Sequence, residues 1–290
     1  TLTTHIRILL RSYDLRIYSG IKTVTGATGS NRAIQITIMI NSPKKVTLFV
    51  QCLVDGIYPE VGESMLKIFR KLDLTVDCPA DQTCCGQPAF NAGYRQEARV
   101  AAERFIRIFE KAEVVVCPSG SCVHMVRRHY PDLFRDSPDW RRRAQAVRGK
   151  TFELTQFLVD VMGVEDHGGR FDGRITLHDS CQALRALGIS AQPRRLIAKI
   201  AGAEFVEMRD SERCCGFGGS FAVKYPEIST AMVDDKVHNI IATGADAVVG
   251  VDISCLMNIQ GRLSRMKSPI RVLHIAQLLA GSIHFEGLRI

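Results

Sequence analysis

Cys-Cys-Gly stands twice in this chain, at residues 84–86 and 214–216, and each copy belongs to a larger set of cysteines repeating at a nearly constant distance. Cys52, Cys84, Cys85 and Cys122 are matched by Cys181, Cys214, Cys215 and Cys255. The offsets are 129 (52 to 181), 130 (84 to 214) and 133 (122 to 255). No other feature restricts the fold as tightly, because it makes the chain two copies of one module. Cys78 and Cys117 have no counterparts and read as small buried residues.

The text around the cysteines repeats too. A short apolar strand delivers the first cysteine in "VTLFVQC" (46–52) and again in "RITLHDSC" (174–181). A helical stretch follows each. In 58–74 the apolar residues Val61, Met65, Leu66, Ile68, Phe69 and Leu72 recur at spacings near three and four. The stretch 192–202 reads alike, with Gly202 as the helix stop. A second strand then leads to Cys-Cys-Gly, a longer helix follows (96–112 and 226–244), and each copy closes on an apolar strand, "EVVVC" and "DAVVG". Strands alternating with helices, the closing ones nearly all apolar, predict parallel sheets covered on both faces.

The expected fold class is therefore α/β: two tandem similar modules with short parallel sheets, related by a pseudo-two-fold internal duplication. The expected boundaries are a first module over 45–135, a helical connector over 136–173 and a second module over 174–284. Cysteines at strand C-terminal ends fall where open α/β sheets place their ligands.

Residues 1–44 read as an extension outside this fold. Residues 1–45 carry seven basic side chains against one acid, Asp14, which is +6 of the chain's net +8. A nucleic-acid reading would rest almost wholly on that segment, which has no groove-reading motif. The basic residues of segment 123–173, Arg127, Arg128 and Arg141 to Arg143, read as a solvated face, with a partner-docking surface as the alternative. No run of about 18 apolar residues predicts a membrane span. Ten cysteines without a signal peptide point to a reducing, cytoplasmic compartment and away from a secreted disulfide framework.

Disulfide exchange, zinc and iron–sulfur chemistry all remain open for these thiols. Exchange between vicinal cysteines has no need of Cys52 and Cys122 at matched positions. Structural zinc sites with four thiolates usually come as two short-spaced pairs, whereas here only the adjacent pair is close. Adjacent side chains of an extended segment point to opposite faces, which suits separate irons of a cluster better than one tetrahedral ion. Gly86 and Gly216 permit a positive φ and a backbone close to a bulky group. The spacing favours iron–sulfur and leaves zinc standing.

With "CPSGSC" (117–122), "HDSCQALR" (178–185), "CCGFGGSFAVKYPEIS" (214–229) and "DISCLMNIQG" (252–261) in view, residues 46–281 resemble the cysteine-rich, or CCG-domain, family. That family includes the B subunit of heterodisulfide reductase, the iron–sulfur subunits of glycolate oxidase and anaerobic glycerol-3-phosphate dehydrogenase, and lactate-utilization proteins, to which these motifs are most similar. The resemblance implies an iron–sulfur redox subunit that passes electrons between partner subunits and an acceptor. Its lactate-utilization members imply an L-lactate-to-pyruvate complex with two companions, lactate utilization proteins B and C. It also implies cluster ligation by Cys52, Cys84, Cys85 and Cys122, and by Cys181, Cys214, Cys215 and Cys255.

The fullest family pattern ends in Cys-x-x-Cys. Ser119 and Asp252 stand at the first of those positions here, so the expectation is one ordinary 4Fe–4S cluster per module, with Cys117 the one extra thiol available to the first. The alternatives are an electron-transfer subunit of a glycolate, glycerol-3-phosphate or heterodisulfide-type oxidoreductase, or a zinc-stabilised structural protein. His178, three residues before Cys181, is a candidate proton relay or hydrogen-bond donor to a sulfide, against the plainer reading of a strand-end histidine held by a carbonyl. His124 and His129 read as surface residues. The glycine run 216–219 lacks the spacing of a nucleotide loop, and Asp81, Asp210 and Glu212 form no evident acid–base pair.

Overall fold

A computed structural model of the 290-residue chain describes residues 22–26, 34–38 and 43–281. Strands β1 (Lys22–Gly26) and β2 (Ile34–Ile38) form an antiparallel pair. They fall within 1–44, the expected extension, most of which lies outside the described residues.

The remaining strands make two four-stranded parallel sheets. The first runs β4 (Thr75–Asp77), β3 (Lys45–Leu48), β5 (Val115–Cys117), β6 (Thr151–Glu153). The second runs β8 (Ala201–Phe205), β7 (Arg170–His178), β9 (Ala247–Gly250), β10 (Arg271–His274). Position for position these are the same sheet, and the tandem α/β duplication read from the cysteines is the architecture. In the first sheet Leu48 pairs with Val116 and Val115 with Thr151; in the second Ile175 pairs with Ala247 and Val272 with Val248. The central strands β5 and β9 are buried along their whole length, as parallel strands covered on both faces must be.

Helices cover the sheets where the spacing predicts them. The helix Pro59–Lys71 begins with proline, whose fixed φ suits a first turn, and buries Val61, Met65, Ile68 and Phe69. Arg95–Phe109 and Pro226–Ala242 follow the two Cys-Cys-Gly loops. Two expectations are corrected. The helix near 192–202 stops at Ile197, and Gly202 lies inside β8 at φ +78, where a Cβ would collide with Asp172. The segment 136–173 is not all helix. It holds Pro138–Gly149 but also β6, which completes the first sheet beside β5.

The modules share one apolar core running from Val46 to Leu279, and the first module has a second core around Phe49, Phe105, Phe109 and Tyr130. Contacts between modules are reciprocal. The helix Gly120–His124, carrying Cys122, packs on Cys181–Leu187, and the helix Ile253–Arg265, carrying Cys255, packs on Cys52–Ile57. The helix bearing each module's last cysteine is thereby set against the helix that opens with the other module's first. Among the described residues no helix is long and apolar enough to cross a membrane.

Candidate metal centre

In each sheet the strand order reverses between the first and third strands of the module, so the chain leaves β3 and β5, or β7 and β9, toward opposite sides. A crevice opens at such a switch point beyond the C-terminal ends of the strands. Cys52 opens the helix after β3 and Cys122 lies in the first turn after β5; Cys181 and Cys255 do the same after β7 and β9. The Cys-Cys-Gly loops close the crevice from the side of β4 and β8. Because the modules meet at these ends, all eight repeat-matched cysteines line one shared cavity of about 120 Å³. Gly218 and Gly219, from the run that resembles no nucleotide loop, line it as well.

Each set runs from a mouth inward. Cys52 is exposed and Cys84, Cys181 and Cys214 are half-buried, while Cys85, Cys122, Cys215 and Cys255 are buried. All are free thiols, and Cys85 Sγ lies 3.4 Å from Cys122 Sγ, well beyond a disulfide bond. Cys85 and Cys122 share a thiol–thiol hydrogen bond, and each thiol's protonation is set chiefly by its neighbours in the order Cys52, Cys84, Cys85, Cys122 and Cys181, Cys214, Cys215, Cys255. Adjacent cysteines therefore touch instead of facing opposite ways. Neither pair lies in a strand, and just past each one Gly86 (φ 83) and Gly216 (φ 80) turn the chain through the left-handed region.

Those glycines have a second role. Their N–H groups donate to Cys84 Sγ and Cys214 Sγ at 3.4 Å, and their bare faces lie against the following helix. A Cβ on Gly216 would stand 2.6 Å from the Ser229 carbonyl oxygen, and one on Gly86 3.2 Å from that of Ala98. Matching anchors hold the loops from behind: Tyr130 donates to the Cys85 carbonyl at 2.9 Å, and Asn258 to that of Cys215 at 2.8 Å.

The shared protons divide unequally. Donation from Cys52, from Cys85 and from Gly86 N–H pulls Cys84 down to about 3, and the same arrangement around Cys181, Cys215 and Gly216 pulls Cys214 to about 2. Cys117 and Cys85 bring Cys122 to about 5. Cys52, Cys85, Cys181 and Cys215, left holding protons, are pushed up. Each set is thereby ready to present thiolate, and a metal group held there would displace the remaining protons. Soft thiolates in this number and closeness fit an iron–sulfur group.

Ser119 and Asp252, where the fullest pattern has cysteine, meet on the pseudo-two-fold axis as an isolated bridge between the modules. Both are buried. Asp252 Oδ2 accepts from Ser119 Oγ (3.1 Å) and Ser121 N (2.8 Å), and its Oδ1 from Ser254 N (3.3 Å) and Ser254 Oγ (2.6 Å). Each also caps the helix bearing its module's last cysteine. They act as the pin between modules.

Other expected residues fall differently. Cys117 is fully buried beside Cys122, whereas Cys78 is exposed just past the edge strand β4, which corrects the reading of it as buried. His124 is not a free surface residue: its Nδ1 and Gln87 Nε2 both meet Gln182 Oε1, at 3.0 and 2.6 Å, across the module boundary. His129 is half-buried against Phe90. His178 is buried, and neither ring nitrogen has a hydrogen-bond partner, so it is not held by a carbonyl; burial lowers it to about 3. One ring nitrogen lies with Cys215 Sγ and Cys255 Sγ in a group whose members are all within 4.8 Å of one another.

Three buried polar groups near the cavity escape a reading of the sequence. Glu153 and His274 end β6 and β10 and cap the helices that follow; burial raises Glu153 to about 7 and lowers His274 to about 4. His274 Nε2 donates to the Pro118 carbonyl at 3.1 Å, a further tie between modules. Lys236, fully buried, donates to the carbonyls of Asp210 and Ser211 at 3.0 Å and fixes the loop before Cys214. The signal for the first two is the pair "FELTQFL" (152–158) and "LHIAQLL" (273–279), a repeat with no cysteine in it.

The family described as "CCG: Cysteine-rich domain" matches residues 46–127 and 175–260, one match in each module. Lactate utilization protein A of Exiguobacterium sp. (strain ATCC BAA-1283 / AT1b) is 49% identical over 236 residues, spanning 81% of this chain and 96% of the relative. The protein of the same name from Macrococcus caseolyticus is 48% identical over 239 residues, spanning 82% and 97%. Among solved structures, a hypothetical protein from Helicobacter pylori is similar in fold alone, with a TM-score of 0.57 at 12% identity over 85% of this chain and 50% of that one. Two matched modules, eight cysteines at one cavity and relatives at near half identity place the chain in the cysteine-rich CCG-domain family, among the proteins called lactate utilization protein A.

Proposed function

We propose that the chain is an iron–sulfur redox subunit of a complex that oxidises L-lactate to pyruvate, with one 4Fe–4S cluster held by Cys52, Cys84, Cys85 and Cys122 and another by Cys181, Cys214, Cys215 and Cys255. The observation that carries this reading is the convergence of eight repeat-matched free thiols on one cavity, in a chain whose relatives bear the name lactate utilization protein A. Lactate gives up two electrons and two protons on becoming pyruvate, and bound clusters supply one-electron carriers for that traffic. The chain's own residues present the thiolates, donate Gly86 and Gly216 N–H groups to sulfur, and bury the inner half of each set from water.

The cavity offers little for acid–base work on a substrate. Asp252, the one carboxylate lining it among the described residues, has both oxygens engaged in hydrogen bonds. This supports placing the lactate site on companion subunits resembling lactate utilization proteins B and C. The test is anaerobic purification with iron and sulfide analysis, then addition of L-lactate to the oxidised chain alone and with both companions. A brown protein that bleaches only with the companions present is expected. Bleaching of the chain alone overturns the division of labour, and reduction by glycolate or glycerol-3-phosphate but not lactate overturns the substrate.

A second reading is favoured by one observation. The buried His178, Cys215 and Cys255 group is a nitrogen–sulfur set that zinc also accepts. Stoichiometric zinc with no visible absorbance would establish it in place of the redox role.

A further inference from the structure

The two cysteine sets repeat, but the residues packed behind them do not. At the ends of the central strands, module one carries Phe49 beside Cys117: Phe49 N donates to the Val116 carbonyl at 2.9 Å, one step beyond the Leu48–Val116 pair. Module two has His178 directly opposite Gly250 at the same two positions, with offsets of 129 and 133. Phe49 is enclosed by Phe105 and Phe109, with ring centroids 4.8 and 5.6 Å away, and contributes no donor atom. Cys117 contributes a buried thiol in contact with Cys122. Module two inverts this: the glycine contributes nothing, and the strand end opposite contributes an imidazole.

That imidazole is buried with both nitrogens unpartnered. A buried ring nitrogen without a partner is costly to leave so, and His178 has two. Its neighbours are two thiols of the proposed second site, with one ligand atom from each of the three residues inside a 4.8 Å group. A neutral imidazole among thiolates is a metal-donor arrangement. We infer that His178 gives a ring nitrogen to the metal group of the second cysteine set, so that the second site is a mixed nitrogen–sulfur site and the first is all-sulfur. The inference rests on the iron–sulfur reading above.

The fixed charges reinforce the difference. Buried Lys236 stands behind the loop before Cys214, where module one has the apolar Ile106. Nitrogen in place of sulfur, and a buried positive charge where module one has an apolar side chain, both stabilise the reduced form. The second site therefore accepts an electron at the higher potential.

The experiment uses the full chain, purified anaerobically with its iron and grown with 15N-histidine. Pulsed electron paramagnetic resonance of the reduced protein reads nitrogen coupling, and a potentiometric titration reads the two reduction steps. The expected result is one strongly coupled histidine nitrogen, belonging to the species reduced first. It disappears in His178→Phe, which gives module two the residue found in module one, while the signal of the other site persists. Should His178→Phe not fold, His178→Cys serves: iron content holds, the nitrogen coupling is lost and the first reduction moves to lower potential. Iron-loaded wild type with no strong coupling, or only the weak coupling of a hydrogen bond to sulfide, overturns the inference and leaves the iron–sulfur reading intact. So does strong coupling that survives either variant. A wild type without iron overturns both.

Discussion

Replacing Asp252 with alanine tests whether the axis of the duplication is held by this carboxylate. The side chain accepts four hydrogen bonds in a place where the residue is 1% exposed, two of them from the backbone N–H groups of Ser121 and Ser254. The hydroxyls of Ser119 and Ser254 can turn to new partners; the N–H groups cannot. A buried donor left unpaired costs about 1–3 kcal/mol, so two cost about 2–6 kcal/mol. Loss of the cap on the helix Ile253–Arg265, worth about 1 kcal/mol, is the same Ser254 N–H counted from the helix side and adds little. We expect a loss of about 3–5 kcal/mol for Asp252→Ala. Asp252→Asn keeps one oxygen, and its amide can donate to the Ser119 hydroxyl, so only one N–H is orphaned and the loss falls to about 1–3 kcal/mol. Urea unfolding of the anaerobically purified chain, followed by circular dichroism at matched iron content, measures both. An alanine variant within about 1 kcal/mol of wild type, or an asparagine variant the less stable of the two, refutes the reasoning.

The other expectations concern packing and protons. Gly120 meets Ala183 across the modules so closely that an added Cβ would lie 2.6 Å from the Ala183 Cβ. Gly120→Ala should lose about 1–3 kcal/mol, and adding Ala183→Gly should restore most of it in thermal unfolding; simple additivity would show the two do not touch. Gly216→Ala combines a φ of +80 with a Cβ 2.6 Å from the Ser229 oxygen. It should lose more than about 2 kcal/mol and reduce iron per chain, read by metal analysis, whereas Gly56→Ala, with open space around it, should do neither. Glu153 is raised by burial from its ordinary 4.5 to about 7. A carboxyl that holds its proton more tightly when folded contributes stability that is complete below pH 4.5 and lost as pH rises to 7, about 3 kcal/mol in all. Glu153→Gln should flatten that slope in urea unfolding measured from pH 4.5 to 8.

The duplication and its cysteine ladder were legible because a donor set fixes its spacing, whatever surrounds it. The long helices were legible because Val61, Met65, Ile68 and Phe69 repeat at helical spacing. The fourth strands were not. β6 is three residues followed at once by helix, and its apolar run from Phe152 to Val161 has no strand period. Only its pairing with β5 makes it a strand. The touching of Cys84 and Cys85 was hidden for a related reason: the alternation argument assumes extended backbone, and the pair lies in a loop outside any strand. That both sets open on one cavity depends on which helices meet across the modules, Gly120 against Ala183 above all. No spacing within either copy carries that information.

The offsets themselves locate the one large departure from symmetry. They hold at 129 to 133 through the last cysteines, then fall to 121 between Glu153 and His274, a difference of 12 residues from the 133 of Cys122 and Cys255. The helix Pro138–Gly149 is 12 residues long and has no equivalent between Ile253–Arg265 and β10. It lies between β5 and β6, two adjacent strands of one sheet, so it is an insertion within module one and not a link between modules. Its packing accounts for the second core: Ala144 and Val147 are buried with Phe105 and Phe109, and Arg107 and Arg143 lie over the Trp140 ring at 5.0 and 4.1 Å. The insertion thus thickens the wall of module one around Phe105 and Phe109, and none of its residues lines the shared cavity. The cysteine-bearing loops of both modules keep their common geometry because the added chain is accommodated behind the sheet, and the chemical differences between the two sites come down to single residues facing the thiols.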